Sequence, residues 1–435
     1  MMTSHDIAPI GFTSKRGSGG LMPGADTIAF WYWFLAGTKP FLIFLFFRND
    51  PKLGTLASGA MTTTFVILLS ALMLAGQVRS PARREWPPAA KWIAIYIIWV
   101  GVTLSWTHAE SRFIAFAYWL TMAFDVLFVF MLLRIGEIER VTVRSLKGLV
   151  CGATVLGIVT LLFGGTGAYG RLGDEEFLHP NTVGNIAAIA GIGSIYLARH
   201  TKEYQRLLWM AVLSFLVFIL MASLSKTAIF AFLMAIGVNL VVGRYGLIGK
   251  VALVGLVAAV VAVTYGPLVS YMEEYAYAAG GENLLTLSGR TVIWTETWDM
   301  IVENWLFGYG FMSFRDVGPQ IAEVRLVHAH NEWLHLWFTV GGIGSLVAGL
   351  IYVSYFGEVR RSSLKTTRLS SQSVFGLSLG IYALVRGVTE AHVTGLVFPL
   401  PLVLLISAWL CRAVKQDDVM PFAKYASSRL DNKRI

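Results

Sequence analysis

Histidine, arginine and asparagine crowd one short stretch of the chain. Arg325 is followed by His328-Ala329-His330-Asn331-Glu332, which runs straight into an apolar segment opening Trp333-Leu334. Imidazole titrates near neutrality, so His330 can take a proton from a hydroxyl or hydrogen-bond a phosphate. A lone interfacial histidine is usually structural; here Arg325, His328, Asn331 and Glu332 cluster around it. Upstream, Ser288-Gly289-Arg290-Thr291 opens a segment over Val292 to Trp305 in which Ile293, Trp294, Trp298, Ile301 and Trp305 recur at helical spacing. One face of that segment fits lipid or a bundle rim. Arg290 at its start adds guanidinium donors to free backbone N–H groups, a pairing that suits phosphate. A solvated arginine on an interfacial helix is the plainer alternative.

Three further sites have residue types of the same kind. Gly170-Arg171-Leu172-Gly173 precedes His179-Pro180-Asn181, where Pro180 fits a first helical turn. Asn181 could then orient backbone or substrate, or the whole could be a capped helix entry. Ser223-Leu224-Ser225-Lys226-Thr227 places a cation in a tight helical turn, where a lysine either snorkels to the interface or meets an anionic ligand. Arg386 and Glu390 stand four apart, which would put them on one helix face as an ion pair or a functional pair. Lys39 and Asp125 are the other ionisable groups within apolar spans, and Asp125 has no partner evident from sequence. No HExxH or CxxC occurs and the histidines lack ligand spacing, so no metal site and no cofactor are expected. Cys151 and Cys411 lie inside apolar runs and read as buried thiols.

These residues need a scaffold, and the composition says which. Hydrophobic residues make up 56% of the 435 and charged residues 14%, with a mean hydropathy of +0.63. Apolar runs of about 17–25 residues recur along the chain, each long enough to cross a bilayer core. The expected fold is all-α, a polytopic membrane helix bundle of about twelve transmembrane helices. The spans read as 27–47, 55–75, 89–106, 112–133, 148–165, 182–198, 207–222, 227–242, 246–269, 333–356, 374–391 and 396–412. A long loop, 266–332, carries short amphipathic helices; a loop of that length suggests a use. Domain boundaries read as a tail 1–26, a single transmembrane domain 27–412 and a tail 413–435. No cleaved signal peptide is read in the first residues.

The net charge of +9 could suggest nucleic acid. Its placement argues for orientation, because most of the 35 Lys and Arg residues fall in one set of alternate loops and in the two tails. By the positive-inside rule both termini are cytoplasmic, and Arg171, Lys226, Arg290 and Arg325 lie on the opposite face.

Taken in order, five pieces resemble the O-antigen ligase/polymerase superfamily of bacterial inner-membrane proteins. They are Arg171…His179-Pro180-Asn181, Ser225-Lys226-Thr227-Ala228, Ser288-Gly289-Arg290…Trp294, Leu306-Phe307-Gly308-Tyr309-Gly310, and His330-Asn331…Leu334 followed by Gly341…Gly344. They span roughly residues 165–350. The resemblance implies a metal-independent, inverting glycosyltransferase in the bacterial inner membrane, with its active site on the periplasmic face. Its donor would be an undecaprenyl-diphosphate-linked oligosaccharide. The acceptor would be a sugar hydroxyl, on a second lipid-linked repeat (polymerase, slightly favoured) or on lipid A-core (ligase). Other polysaccharide-assembly membrane proteins are possible partners.

Carried onto this chain, the family roles make His330 and Arg290 catalytic. Lys226, Arg171, His179, Asn181, Arg325, His328, Asn331, Arg386 and Glu390 would bind the diphosphate or glycan. The family usually has arginine where this chain has Lys226; lysine keeps the charge and loses the bidentate fork, for which Arg386 would compensate. A flippase for lipid-linked glycan is the rival of another class. It should line its centre with charges, whereas nearly all the unusual cations here gather at one edge.

Overall fold

The computed structural model describes residues 24–47, 51–74, 86–135, 138–166, 170–174, 178–201, 203–243, scattered positions between 247 and 269, 290–321, 324–364, 370–391 and 400–413. Most of both tails, Ser288, Gly289 and the greater part of the span expected over 246–269 lie outside the described residues, and so does the side chain of Arg325.

A chain this apolar satisfies its backbone within each segment, and the helix does that alone. The elements are α1 (Ala25–Phe47), α2 (Pro51–Leu74), α3 (Pro88–Thr103), α4 (Arg112–Ile135), α5 (Ile138–Phe163), α6 (Pro180–Arg199), α7 (Glu203–Ala222), α8 (Lys226–Val242), α9 (Arg290–Glu303), α10 (Phe314–Val317), β1 (Gln320–Ile321), β2 (Val324–Arg325), α11 (Glu332–Leu364), α12 (Ser371–Gly387) and α13 (Leu400–Ala413). The two short strands pair antiparallel, Gln320 opposite Arg325. Among the described residues six helices are long and apolar enough to cross a membrane: α1, α4, α5, α6, α7 and α11. Shorter apolar helices lie in α2, α3, α8 and α13. The bundle is thus of membrane type, while the expected count of about twelve crossings is not reached by these criteria.

α12 belongs to neither group. It ends at Gly387, short of the 391 expected, and buries Ser373, Ser378, Tyr382 and Arg386 along with its apolar residues. Its polar groups are matched by neighbours. Ser371 Oγ lies 2.9 Å from His200 Nε2, Ser378 accepts from Asn239, and the Tyr382 hydroxyl donates to Asn185. Such pairing is what lets a polar helix sit inside an apolar bundle.

The span read over 333–356 falls within α11, a candidate crossing helix that is not straight. At Gly341 the backbone takes φ 69° and ψ −177°, which breaks α11 into two helices. The Trp333 and Tyr352 rings lie 5.5 Å apart, although 19 residues of straight helix would separate them by about 28 Å. The first half therefore folds back along the second, and Trp333 lies roughly 10 Å from the turn along that axis. The break frees carbonyls that a helix would have used. Tyr309 N–H donates to Phe338 O at 2.8 Å and Gly310 N–H to Thr339 O at 2.9 Å, while Gly342 N–H donates to Trp305 O at 2.8 Å. The Leu306-Phe307-Gly308-Tyr309-Gly310 stretch is thus the partner of the break. Gly341 has to be glycine, because a Cβ there would collide with the Leu306 carbonyl oxygen.

Away from this region, Asp125 on α4 has partners that its sequence context does not reveal. Tyr32 of α1 and Thr62 of α2 both donate to its Oδ1, and Lys39 of α1 acts on it electrostatically. One carboxylate thereby ties three helices together.

Candidate active site

The site lies where the N-termini of α6, α8 and α9 meet the C-terminal end of α12 and the approach to α11. α9 buries Ile293, Thr297 and Ile301, while Trp298 and Trp305 stay exposed. The expected single apolar face is therefore divided, one side on the bundle and one outside it. Trp294 Nε1 donates to Ala329 O at 3.0 Å. That bond clips the start of α9, and Arg290 with it, to the segment between the two histidines.

That segment is held in an uncommon conformation. His330 has φ +49°, a region that non-glycine residues seldom occupy and that often marks a functional position. Its N–H donates to His328 Nδ1 at 3.2 Å. With Nδ1 accepting, His328 carries its proton on Nε2, which points at Glu390 Oε1 from 3.4 Å. Asn331 Oδ1 accepts from Leu334 N–H at 3.1 Å, and its Nδ2 donates to Val388 O at 2.9 Å. Asn331 thus caps the first half of α11 and fastens it to the turn that carries Glu390.

Glu390 is the centre of the arrangement. It is 4% exposed and follows the last residue of α12, so it is released from the helix face it was expected to share with Arg386. His330 Nδ1 lies 3.2 Å from its Oε1 and Arg290 Nη2 lies 3.9 Å from its Oε2. Burial opposes the negative charge, but the hydrogen bond from His330 and the neighbouring His328 and Arg386 outweigh it and hold the carboxyl below its ordinary range. His328 moves the other way from an ordinary paired histidine. Burial, with His330, Arg386 and Arg290 adding to it against the pull of Glu390, lowers its pKa to about 4. His328 is therefore neutral at neutral pH, with its Nε2 set 3.4 Å from Glu390 Oε1. The sequence reading set Glu390 beside Arg386 as a substrate-binding pair; in the structure its carboxylate hydrogen-bonds His330 and stands beside His328.

The second group of cations stands beside the first. Arg171 Nε donates to Ser223 O at 3.2 Å and its Nη2 to Asn181 Oδ1 at 2.7 Å. His179 Nδ1 accepts from Asn181 N–H at 3.2 Å and caps α6. Lys226 opens α8 just after Leu224, whose φ is +49°. Arg290 and Arg171 are the charges that act on it most strongly. The hydroxyls of Ser225 and Thr227 on either side of Lys226 are buried with no hydrogen-bond partner among the described residues. Arg171, Lys226 and Arg290 thus lie close enough to act on one another, three cations of the kind that suits a phosphate.

Of the residues singled out in the sequence, Arg290, His328, His330, Asn331, Arg386 and Glu390 form one cluster. Arg171, His179, Asn181 and Lys226 form a second, joined to the first through Lys226 and Arg290. Arg325 cannot be placed by its side chain. His335, 3% exposed, packs its ring 5.1 Å from that of Phe314 behind the cluster. Metal-ligating atoms of His328, His330 and Glu390 come within 4.8 Å of one another. A divalent cation there would stand against Arg290 and Arg386, and that repulsion disfavours it. Sequence reasoning missed Asn185 and Tyr382; each lies four residues from a chosen residue, Asn181 and Arg386, on the same helix face.

Residues 209–349 match a family model described as O-antigen ligase. The match takes in Lys226, Arg290, His328, His330 and the break at Gly341. Arg171, Asn181, Arg386 and Glu390 lie outside it. No curated protein matches the chain. The matched stretch, about a third of the chain, supports an O-antigen ligase-related domain within a helical bundle of membrane type.

Proposed function

We propose that the chain is a metal-independent, inverting glycosyltransferase that moves a glycan from undecaprenyl diphosphate to a sugar hydroxyl. Lys226, Arg290 and Arg171 grip the diphosphate. His330 Nε2, left free because Nδ1–H is held by Glu390, takes the proton of the acceptor hydroxyl. The acceptor oxygen attacks the anomeric carbon from the face opposite the diphosphate. A new C–O bond forms as the carbon–diphosphate oxygen bond breaks, which inverts that centre. Undecaprenyl diphosphate leaves with its charge neutralised by the cations, the task a metal performs elsewhere. The proton remains on His330 as imidazolium beside the Glu390 carboxylate.

One observation carries this reading: the His330–Glu390 contact at 3.2 Å, in which His330, like the nearby Arg290, comes from the segment that matches the O-antigen ligase family model. Both termini are taken as cytoplasmic and the site as facing the periplasm of the inner membrane, on the strength of the loop charges. Arg325, near the site in sequence, is a further candidate for the glycan or diphosphate. Repeat-unit polymerisation is slightly favoured, with transfer to lipid A-core as the second acceptor.

The experiment supplies purified protein in proteoliposomes with undecaprenyl-diphosphate repeat units, with and without lipid A-core. A ladder growing on the polyprenyl carrier alone identifies a polymerase. Transfer only when core is added identifies a ligase. No transfer in either arm rejects the proposal.

A further inference from the structure

The two clusters of the site are carried by different helices, and the first turns of α6 lie between them. Three separate contacts converge there. Asn181 holds Arg171. At Gly184 the Ser223–Ser225 turn docks so closely that a Cβ would meet Ser223 Oγ, and that turn delivers Lys226. Asn185, one turn further on, accepts the hydroxyl of Tyr382 on α12. Tyr382 is four residues before Arg386, and Arg386 is close enough to act on it electrostatically. Both partners of the Asn185–Tyr382 bond are 0% exposed.

A buried amide and a buried phenol are costly where two apolar side chains would pack as well. Asn185 adds to that cost, because its Nδ2 is buried without a hydrogen-bond partner among the described residues. Stability alone does not explain the pair. The directional bond does something that apolar packing does not: it fixes the height and rotation of α12 against α6. The end of α12 carries Arg386 and leads into Glu390, and the start of α6 organises Arg171 and Lys226.

We infer that Asn185 and Tyr382 are positioning residues, a buried brace that sets the spacing between the diphosphate cradle and the His330–Glu390 unit. This rests on the glycosyl-transfer reading. Neither residue touches substrate. Displacement of catalytic groups by about 1 Å is enough to cost two orders of magnitude in rate, so losing one hydroxyl at the brace affects the chemistry more than the binding.

The test compares full-length wild type with Tyr382→Phe in proteoliposomes, using an undecaprenyl-diphosphate oligosaccharide donor. The expected result is kcat reduced about tenfold or more with donor KM changed less than about threefold. The double variant Tyr382→Phe/Asn185→Leu removes both polar partners, so it should regain thermal stability while kcat stays low. Wild-type kcat in Tyr382→Phe, or full recovery of kcat in the double variant, overturns the inference and leaves glycosyl transfer standing. Should wild type transfer nothing, hydrogen exchange still decides. Faster exchange in Tyr382→Phe confined to the end of α12 and the turn to Glu390 supports the brace, and unchanged exchange there overturns it.

Discussion

His330 Nδ1 lies 3.2 Å from Glu390 Oε1, a contact made between residues 60 apart in the chain. It fixes one imidazole nitrogen as a donor and leaves the other to accept a proton. As His330 gains that proton, the carboxylate stabilises the imidazolium. Glu390→Gln keeps an oxygen to receive Nδ1–H and removes the charge. The expected outcome is kcat lowered about 100-fold or more with donor KM near wild type. Steady-state transfer rates over a donor series measure both. An unchanged kcat would remove Glu390 from the mechanism.

His328 gives the site an acid sensitivity. Its folded pKa of about 4 lies below the ordinary 6.5, so the unfolded chain binds more protons between those values. Stability contributed by neutral His328 is complete above about 6.5 and declines as pH falls toward 4. Glu390, also lowered, adds a loss in the same direction at lower pH. Wild type should therefore melt at a lower temperature at pH 5 than at pH 7.5. In His328→Gln, which keeps an N–H donor and does not titrate, that difference should shrink. Thermal midpoints in detergent at the two pH values check it, and an equal drop in both proteins would contradict the assignment.

Arg290 and Arg171 are the charged groups that act on Lys226, and of the three it alone offers an ammonium and not a guanidinium fork. Removing it should weaken the ground-state grip on the diphosphate. Lys226→Ala is expected to raise donor KM about tenfold or more, the worth of a charge-assisted hydrogen bond. Lys226→Arg should retain most of the affinity, since the charge is kept and a fork added. Donor titrations of the three proteins separate these outcomes; wild-type KM in Lys226→Ala would place the diphosphate elsewhere.

Much of the site could be read from sequence because charge is conspicuous in an apolar chain. Arg290, Lys226, His330 and Arg171 stood out by residue type, and the structure brings their segments together. What escaped depends on contacts between distant segments. Gly341-Gly342 reads as small residues tolerated inside a span, and nothing local says that the Leu306–Gly310 stretch will receive the freed carbonyls. Glu390 and Arg386 read as a helical pair by their spacing. The helix stops at Gly387, so the spacing no longer applies and the carboxylate turns to the histidines. The Tyr382–Asn185 bond was hidden for another reason: tyrosine and asparagine in apolar helices carry no charge to draw the eye.

The break in α11 is itself testable. Gly341→Ala places a Cβ against the Leu306 carbonyl at φ 69°, a conformation that costs an ordinary residue about 1–3 kcal/mol before the collision is counted. The half-helix leading from Asn331 would shift with it. The variant should yield less folded protein and a thermal midpoint several degrees lower, whereas Gly349→Ala, with open space at its Cβ, should behave as wild type. Size-exclusion profiles and melting curves of the pair report the outcome. Equal behaviour of the two would mean that the chain does not double back at Gly341.

Asp125 lies apart from the site, on α4, and its network should matter for the bundle and not for the chemistry. Tyr32, Thr62 and Lys39 all address one carboxylate. Asp125→Leu would leave Lys39 buried without that carboxylate and strip Tyr32 and Thr62 of this acceptor, and each buried polar group left unmatched costs about 1–3 kcal/mol. Replacing both charges, in Lys39→Met/Asp125→Leu, removes the charge mismatch and should recover part of the loss. Melting in lipid nanodiscs is therefore expected to show a large drop for the single variant and a smaller one for the double. Transfer activity per folded molecule should stay at the wild-type level in the double variant, because the described partners of the His330–Glu390 unit come from other elements than α1 and α4. A double variant that folds well and transfers nothing would instead place Asp125 in the reaction.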